Sequence, residues 1–142
     1  MPPAAKAKSK PGLEAFARHW LDARSYLVKT GDFRPFSALN TAACEWCEDI
    51  VQVFGGVYKA GGRYEGDLQA RLVEVQLANL AGSNLGYVQF RADIPGYVKV
   101  SKRGASPEPK KPATLDYTLN LKFVKDCWLV TRATWDVVEG GS

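Results

Sequence analysis

Apolar side chains recur at three- and four-residue steps early in the chain. Leu13, Phe16, Ala17, Trp20 and Leu27 form a stripe, and Leu21 and Val28 broaden it. This spacing predicts an amphipathic helix over residues 13–30. Arg24 falls at the same helical spacing. Gly31 ends the helix and Asp32 follows in the turn. Residues 33–39 read as a helix of one or two turns, with Pro35 near its start. Asn40 or Thr41 is placed to cap a third helix. Cys44, Cys47, Val51, Phe54 and Tyr58 carry its apolar face, and Glu45, Glu48, Asp49 and Gln52 fill the other. Gly55-Gly56 weakens this helix, and Gly61-Gly62 ends it at the latest.

Beyond Gly62 the period changes to two. Residues 68–80 alternate around Leu72, Val73, Val75 and Leu77. Residues 85–94 and 97–101 form another extended stretch, broken at Pro95-Gly96 by a bulge, corner or tight turn. Leu115, Tyr117, Leu119, Leu121 and Phe123 alternate with Asp116, Thr118, Asn120 and Lys122, giving one apolar and one polar face. Lys125-Asp126 reads as a tight turn, and residues 127–138 as a last strand with Trp128, Val130 and Trp135. Helices first and antiparallel strands after is an α+β layout. A strongly curved antiparallel sheet wrapped around the helices would bury their apolar faces, and a bulge near Pro95-Gly96 would help bend it.

The chain has 142 residues, which suits one hydrophobic core. No apolar run reaches the ~20 residues of a membrane helix. The formal charge of +4 points toward nucleic acid until it is divided along the chain. Lys6, Lys8 and Lys10 lie in residues 1–12. Lys102, Arg103, Lys110 and Lys111 lie in a Pro-rich loop over 102–112, against Glu108 alone. The rest carries 12 bases against 14 acids. Residues 1–12, poor in large apolar side chains, read as a flexible basic tail or tether. Residues 13–138 then form the single domain, and 139–142 a disordered tail. A mildly acidic body with two short basic segments argues against a nucleic-acid partner. The basic segments offer contacts to an acidic partner or an anionic membrane surface. No phosphate loop or dinucleotide fingerprint is present, so no cofactor is expected. With one histidine and three cysteines at no ligand spacing, no metal is expected either.

A set of motifs carries a family resemblance: Phe16-x-x-x-Trp20, Tyr26, Thr30-Gly31-Asp32, Leu39, Cys44-x-x-Cys47 and Gly61-Gly62-Arg63-Tyr64-x-Gly66. These residues resemble the DUF6318-type actinobacterial lipoproteins of unknown function, whose fold resembles nuclear transport factor 2 (NTF2-like or SnoaL-like). The resemblance implies an NTF2-like cone with N-terminal helices packed in the curved sheet. It also implies export to the cell envelope and anchoring through an N-terminal lipid-modified cysteine, on a leader absent from this chain. A cytoplasmic location is the alternative.

Cys44 and Cys47 share a face near a helix start, at a spacing that reaches disulfide geometry. A structural disulfide suits an exported protein. Reduced buried thiols and a thioredoxin-like dithiol are the other readings. Cys127 remains as a buried free thiol.

NTF2-like folds often enclose a pocket between sheet and first helix, and relatives include isomerases, dehydratases and cyclases. The resemblance implies pocket residues Trp20, Tyr26, Phe54, Tyr58, Tyr117 and Trp135. His19, Asp116 and Asp136 are the weak catalytic candidates, with no acid and base visibly facing one another. The expectation is therefore a non-enzymatic binding module for a small apolar ligand or an envelope protein partner. A small-molecule isomerase, dehydratase or cyclase is the alternative. A homodimer or scaffold using Tyr117, Trp128 and Trp135 on an open sheet face is the third reading.

Overall fold

The computed structural model describes residues 3–78 and 83–138. The expected ends at 1–2 and 139–142, and residues 79–80 of the expected strand 68–80, lie outside them. Three α-helices come first: α1 (Lys10–Thr30), α2 (Arg34–Ser37) and α3 (Glu45–Lys59). Seven strands follow: β1 (Gly61–Gly66), β2 (Arg71–Ala78), β3 (Leu85–Ile94), β4 (Tyr97–Lys102), β5 (Glu108–Lys110), β6 (Ala113–Val124) and β7 (Cys127–Val137). The fold is α+β, with helices packed on antiparallel sheet as expected.

The strands form two sheets, not one curved sheet. One runs β2-β3-β6-β7 and the other β1-β4-β5. The break falls at Pro95-Gly96, where Pro95 lacks an N–H for the ladder. The chain leaves the larger sheet there and enters the smaller one. Gly62 makes the β1–β4 contact possible, because a Cβ on it would strike the Val100 carbonyl. The 102–112 segment turns at Gly104 and returns as the short strand β5, paired with β4.

The apolar stripe of α1 packs on the inner face of the larger sheet. Trp20 sits at its centre against Phe36, Phe90 and Tyr117, with ring centroids 5.1, 6.3 and 5.5 Å away. Its indole Nε1 donates to Asn40 Oδ1 at 2.8 Å, and Asn40 Nδ2 donates to the Phe36 carbonyl at 2.9 Å. Asn40 is thereby fully committed and does not cap α3. Cys44 is the cap, its sulfur accepting from the Cys47 N–H at 3.3 Å. Backbone bonds from Val130 to Leu39 and from Thr41 to Val130 tie the α2–α3 connection to β7. Gly31 closes α1 at φ 78°, where a Cβ would lie 2.6 Å from the Tyr58 ring. Gly55-Gly56 does not shorten α3, which continues to Lys59.

Residues 3–12 do not form a free tail. Pro3–Lys6 make a 3-10 turn with Ala5 fully buried, and Ser9 caps α1 by accepting from the Gly12 N–H. Trp128 Nε1 donates to the Ala7 carbonyl at 2.9 Å. The segment is anchored by its backbone and by small side chains, so the lack of large apolar residues does not free it.

Candidate functional site at the sheet junction

Arg24 enters the interior from the apolar face of α1, one turn beyond Trp20. It is 8% exposed. Its guanidinium lies 5.1 Å from the centroid of the Phe54 ring of α3, a cation–π contact. The Tyr117 phenol lies near enough for the Arg24 charge to act on its ionisation. The buried Nε has no hydrogen-bond partner. Among the described residues no carboxylate pairs with Arg24. Burying a cation without a counter-charge is costly, so this arrangement needs a reason beyond packing.

Arg24 borders a small cavity of about 30 Å³ where the two sheets meet. Val28 of α1 and Phe54 of α3 line it from the helices. Leu68 comes from the β1–β2 connection, and Ile94 and Tyr97 flank the Pro95-Gly96 corner. Asp67 also reaches the rim, but its carboxylate is already taken. Arg71 Nη2 donates to it at 2.7 Å and the Gln69 N–H at 3.1 Å, which together hold its carboxyl below the usual range. Ser25, next to Arg24 and fully buried, has a different fate. Its hydroxyl donates to the Leu21 carbonyl and accepts from the Ala70 N–H at 3.0 Å, fastening the start of β2 to α1.

Aromatic rings extend the apolar wall. Tyr64 meets Phe54, Tyr58 and Tyr97 at centroid distances of 5.5, 6.0 and 5.7 Å. Burial pushes the Tyr64 phenol up to about 12 and raises that of Tyr58. Burial also raises Tyr117, against the pull of the nearby Arg24 charge. The junction therefore holds neutral phenols and apolar groups around one permanent cation.

The six expected pocket residues do not share a pocket. Trp20 and Tyr117 are core, closing the space they were expected to line. Tyr26 is 44% exposed on the outside of α1. Tyr58 donates to the Val28 carbonyl at 2.6 Å and lines a separate surface groove of about 370 Å³ with Phe33 and Val51. Trp135 packs edge-on against Trp46 at 4.3 Å. Only Phe54 lines the junction cavity.

The catalytic candidates lie elsewhere. Asp116 and Asp136 are cross-strand partners on the outer face of β6 and β7. Arg91 Nε donates to Asp116 at 2.9 Å, so this carboxylate is held in a surface ion pair. His19 lies on a half-covered flank of α1, where partial burial pushes its imidazole below the usual range. No acid and base among these three face a common cavity. Tyr117 and Trp128, expected on an open sheet face, point inward and are buried.

Cys44 and Cys47 form a disulfide, with Cα atoms 5.2 Å apart and both residues buried. Cys127 is free but half-buried, less enclosed than expected, with its thiol donating to the Val124 carbonyl at 3.3 Å. Among the described residues no helix is long and apolar enough to cross a membrane.

Arg24 is the candidate site residue that the sequence reading placed on the stripe without giving it a role. Its signal was visible: a permanent charge in register with Phe16, Trp20 and Leu27 on an otherwise apolar stripe.

Comparison with known proteins places this geometry in a wider set. The intermembrane-space region of the chloroplast protein ARC6 superposes with a TM-score of 0.64 at 10% identity, covering 92% of this chain and 98% of that one. An uncharacterised protein with a cystatin-like fold from Caulobacter vibrioides gives 0.59 at 11% identity, covering 90% and 88%. An NTF2-like protein with a cystatin-like fold from Novosphingobium aromaticivorans gives 0.55 at 9% identity, covering 91% and 84%. At such identities the likeness shows the fold, which is NTF2-like and cystatin-like. No curated protein sequence matches the chain. The model of the family of unknown function DUF6318 matches residues 1–134, so the chain belongs to that family.

Proposed function

We propose that this member of the DUF6318 family is a non-enzymatic binding module that holds a small apolar ligand at the junction of its two sheets. One observation carries the reading: the interior cavity is walled by Val28, Phe54, Leu68, Ile94 and Tyr97, while His19, Asp116 and Asp136 stand away from it. Mostly apolar walls with Arg24 and Asp67 as the charged groups suit binding and orientation. Acid–base chemistry would need a proton donor and acceptor within reach of one bound atom. The partly open cavity holds little more than a water molecule. Leu68 and Tyr97 are half-buried at its edge, and a larger guest requires them to rotate.

The Cys44–Cys47 disulfide supports an oxidising compartment, and with it an exported, envelope-located domain. Tethering by a lipid-modified cysteine is the anchoring mode this reading carries.

The test uses N-phenyl-1-naphthylamine, an uncharged apolar fluorophore. Saturable binding at one site per chain is expected, with loss of binding in Leu68→Trp, which fills the cavity edge. Absence of saturable binding by the folded wild type overturns the reading.

A further inference from the structure

We infer that the junction site selects a monocarboxylate carried on an apolar body, with Arg24 as the residue that grips the carboxylate. The inference deepens the proposed binding function and rests on it. It starts from the unmet chemistry of one side chain. Arg24 is more than nine-tenths buried, borders the cavity, and leaves its Nε–H without a partner. An arginine needed only for packing is readily replaced by an apolar residue, and an arginine needed for structural charge is normally paired inside the fold. Arg24 is neither. Phe54 covers its face and the Tyr117 phenol lies near it, yet both are neutral.

The acid on the cavity rim pairs with Arg71 and not with Arg24. Asp67 accepts from Arg71 through one oxygen and from the Gln69 backbone through the other. No carboxylate among the described residues reaches Arg24, so its Nε–H is free to take an anion from outside the chain. A guanidinium binds a planar carboxylate through paired N–H donors, and the low local dielectric strengthens that bond. The free Nε–H is one of the donors such a fork uses.

The rest of the guest follows from the walls. Apart from Asp67, which is paired with Arg71 at the rim, the walls are Val28, Phe54, Leu68, Ile94 and Tyr97, so what trails behind the carboxylate is apolar. Sulfates and phosphates bring a bulkier, tetrahedral head to the same space. The class is thus an amphipathic monocarboxylic acid in its ionised form.

The experiment measures displacement of N-phenyl-1-naphthylamine by decanoate and by decanol, which share a chain and differ at the head. Wild-type protein is expected to prefer decanoate by about tenfold or more, the factor a buried charge-assisted hydrogen bond contributes. Arg24→Met, with its own fluorophore affinity measured first, is expected to lose the preference. Arg24→Lys, which retains charge and loses the planar fork, is the second variant and is expected to keep only part of it. The wild-type comparison needs no variant at all. Equal competition by decanoate and decanol overturns the inference and leaves the apolar-site reading intact. An unchanged preference in both variants overturns the role of Arg24. Failure of the fluorophore itself to bind the folded wild type removes the binding reading, and the inference with it.

Discussion

Two positions one helical turn apart on α1 handle buried polarity in opposite ways. Trp20 sits in the aromatic core, and its indole N–H meets Asn40, whose own amide is bonded to the Phe36 carbonyl. Arg24 sits at the sheet junction with its Nε–H unmet. The first arrangement locks α1, α2 and the α2–α3 connection together. The second leaves a strong donor and a permanent charge facing a cavity. A polar group whose bonds close within the fold serves the fold. A polar group that the fold buries and does not satisfy needs a partner from solvent or from a ligand.

The largest expected effect lies on the Trp20 side. Trp20→Ala removes the ring that Phe36, Phe90 and Tyr117 pack against, and is expected to cost about 3–5 kcal/mol in urea unfolding. Survival of full stability would show that the core is not organised around this ring. Asn40→Leu comes next. It leaves the Trp20 N–H unpaired and removes one of the two donors to the Phe36 carbonyl, at an expected cost of about 1–3 kcal/mol. A neutral result would erase the contrast with Arg24.

The next effect is one of pH and belongs to the junction. An unperturbed tyrosine ionises near pH 10, while Tyr64 in the folded protein ionises near 12. Below pH 10 both states keep the proton and the group leaves stability unchanged. Between about 10 and 12 the unfolded chain releases its proton first, so stability falls as pH rises. Tyr58 and Tyr117 are raised by burial and act in the same direction. Tyr64→Phe should flatten part of this alkaline loss in pH-dependent thermal melts. An unchanged slope would place Tyr64 in contact with water. The smallest effect is expected outside the interior. Asp116→Asn breaks the exposed pair with Arg91 and should shift stability by less than about 1 kcal/mol, with no change in fluorophore binding. A loss of binding would move the site to the outer face of the larger sheet.

The parts legible in the sequence are those set by local periodicity. The stripe from Leu13 to Val28 and the alternation from Leu115 to Phe123 announced α1 and β6, because burial on one face leaves a fixed spacing. The Cys44/Cys47 pair announced its disulfide for the same local reason. The junction was not legible. It depends on β1 pairing with β4 across the Pro95-Gly96 corner, a register that no short window contains. The expected aromatic pocket failed because a tyrosine or tryptophan on an apolar face looks the same whether it lines a space or fills it. Tyr117 fills it. Residues 3–12 were misread because their anchors are a methyl group on Ala5 and the carbonyl of Ala7, neither of which composition registers.

The most direct measurement is on the free donor itself. In proton–nitrogen NMR of the wild-type protein, the side-chain Nε–H signal of Arg24 reports whether that group has gained a partner. Added decanoate is expected to move it strongly downfield and slow its exchange with water, and added decanol is expected to leave it in place. A signal that decanoate leaves unchanged, while the naphthylamine is displaced from the junction, would contradict the assignment of Arg24 as the carboxylate anchor.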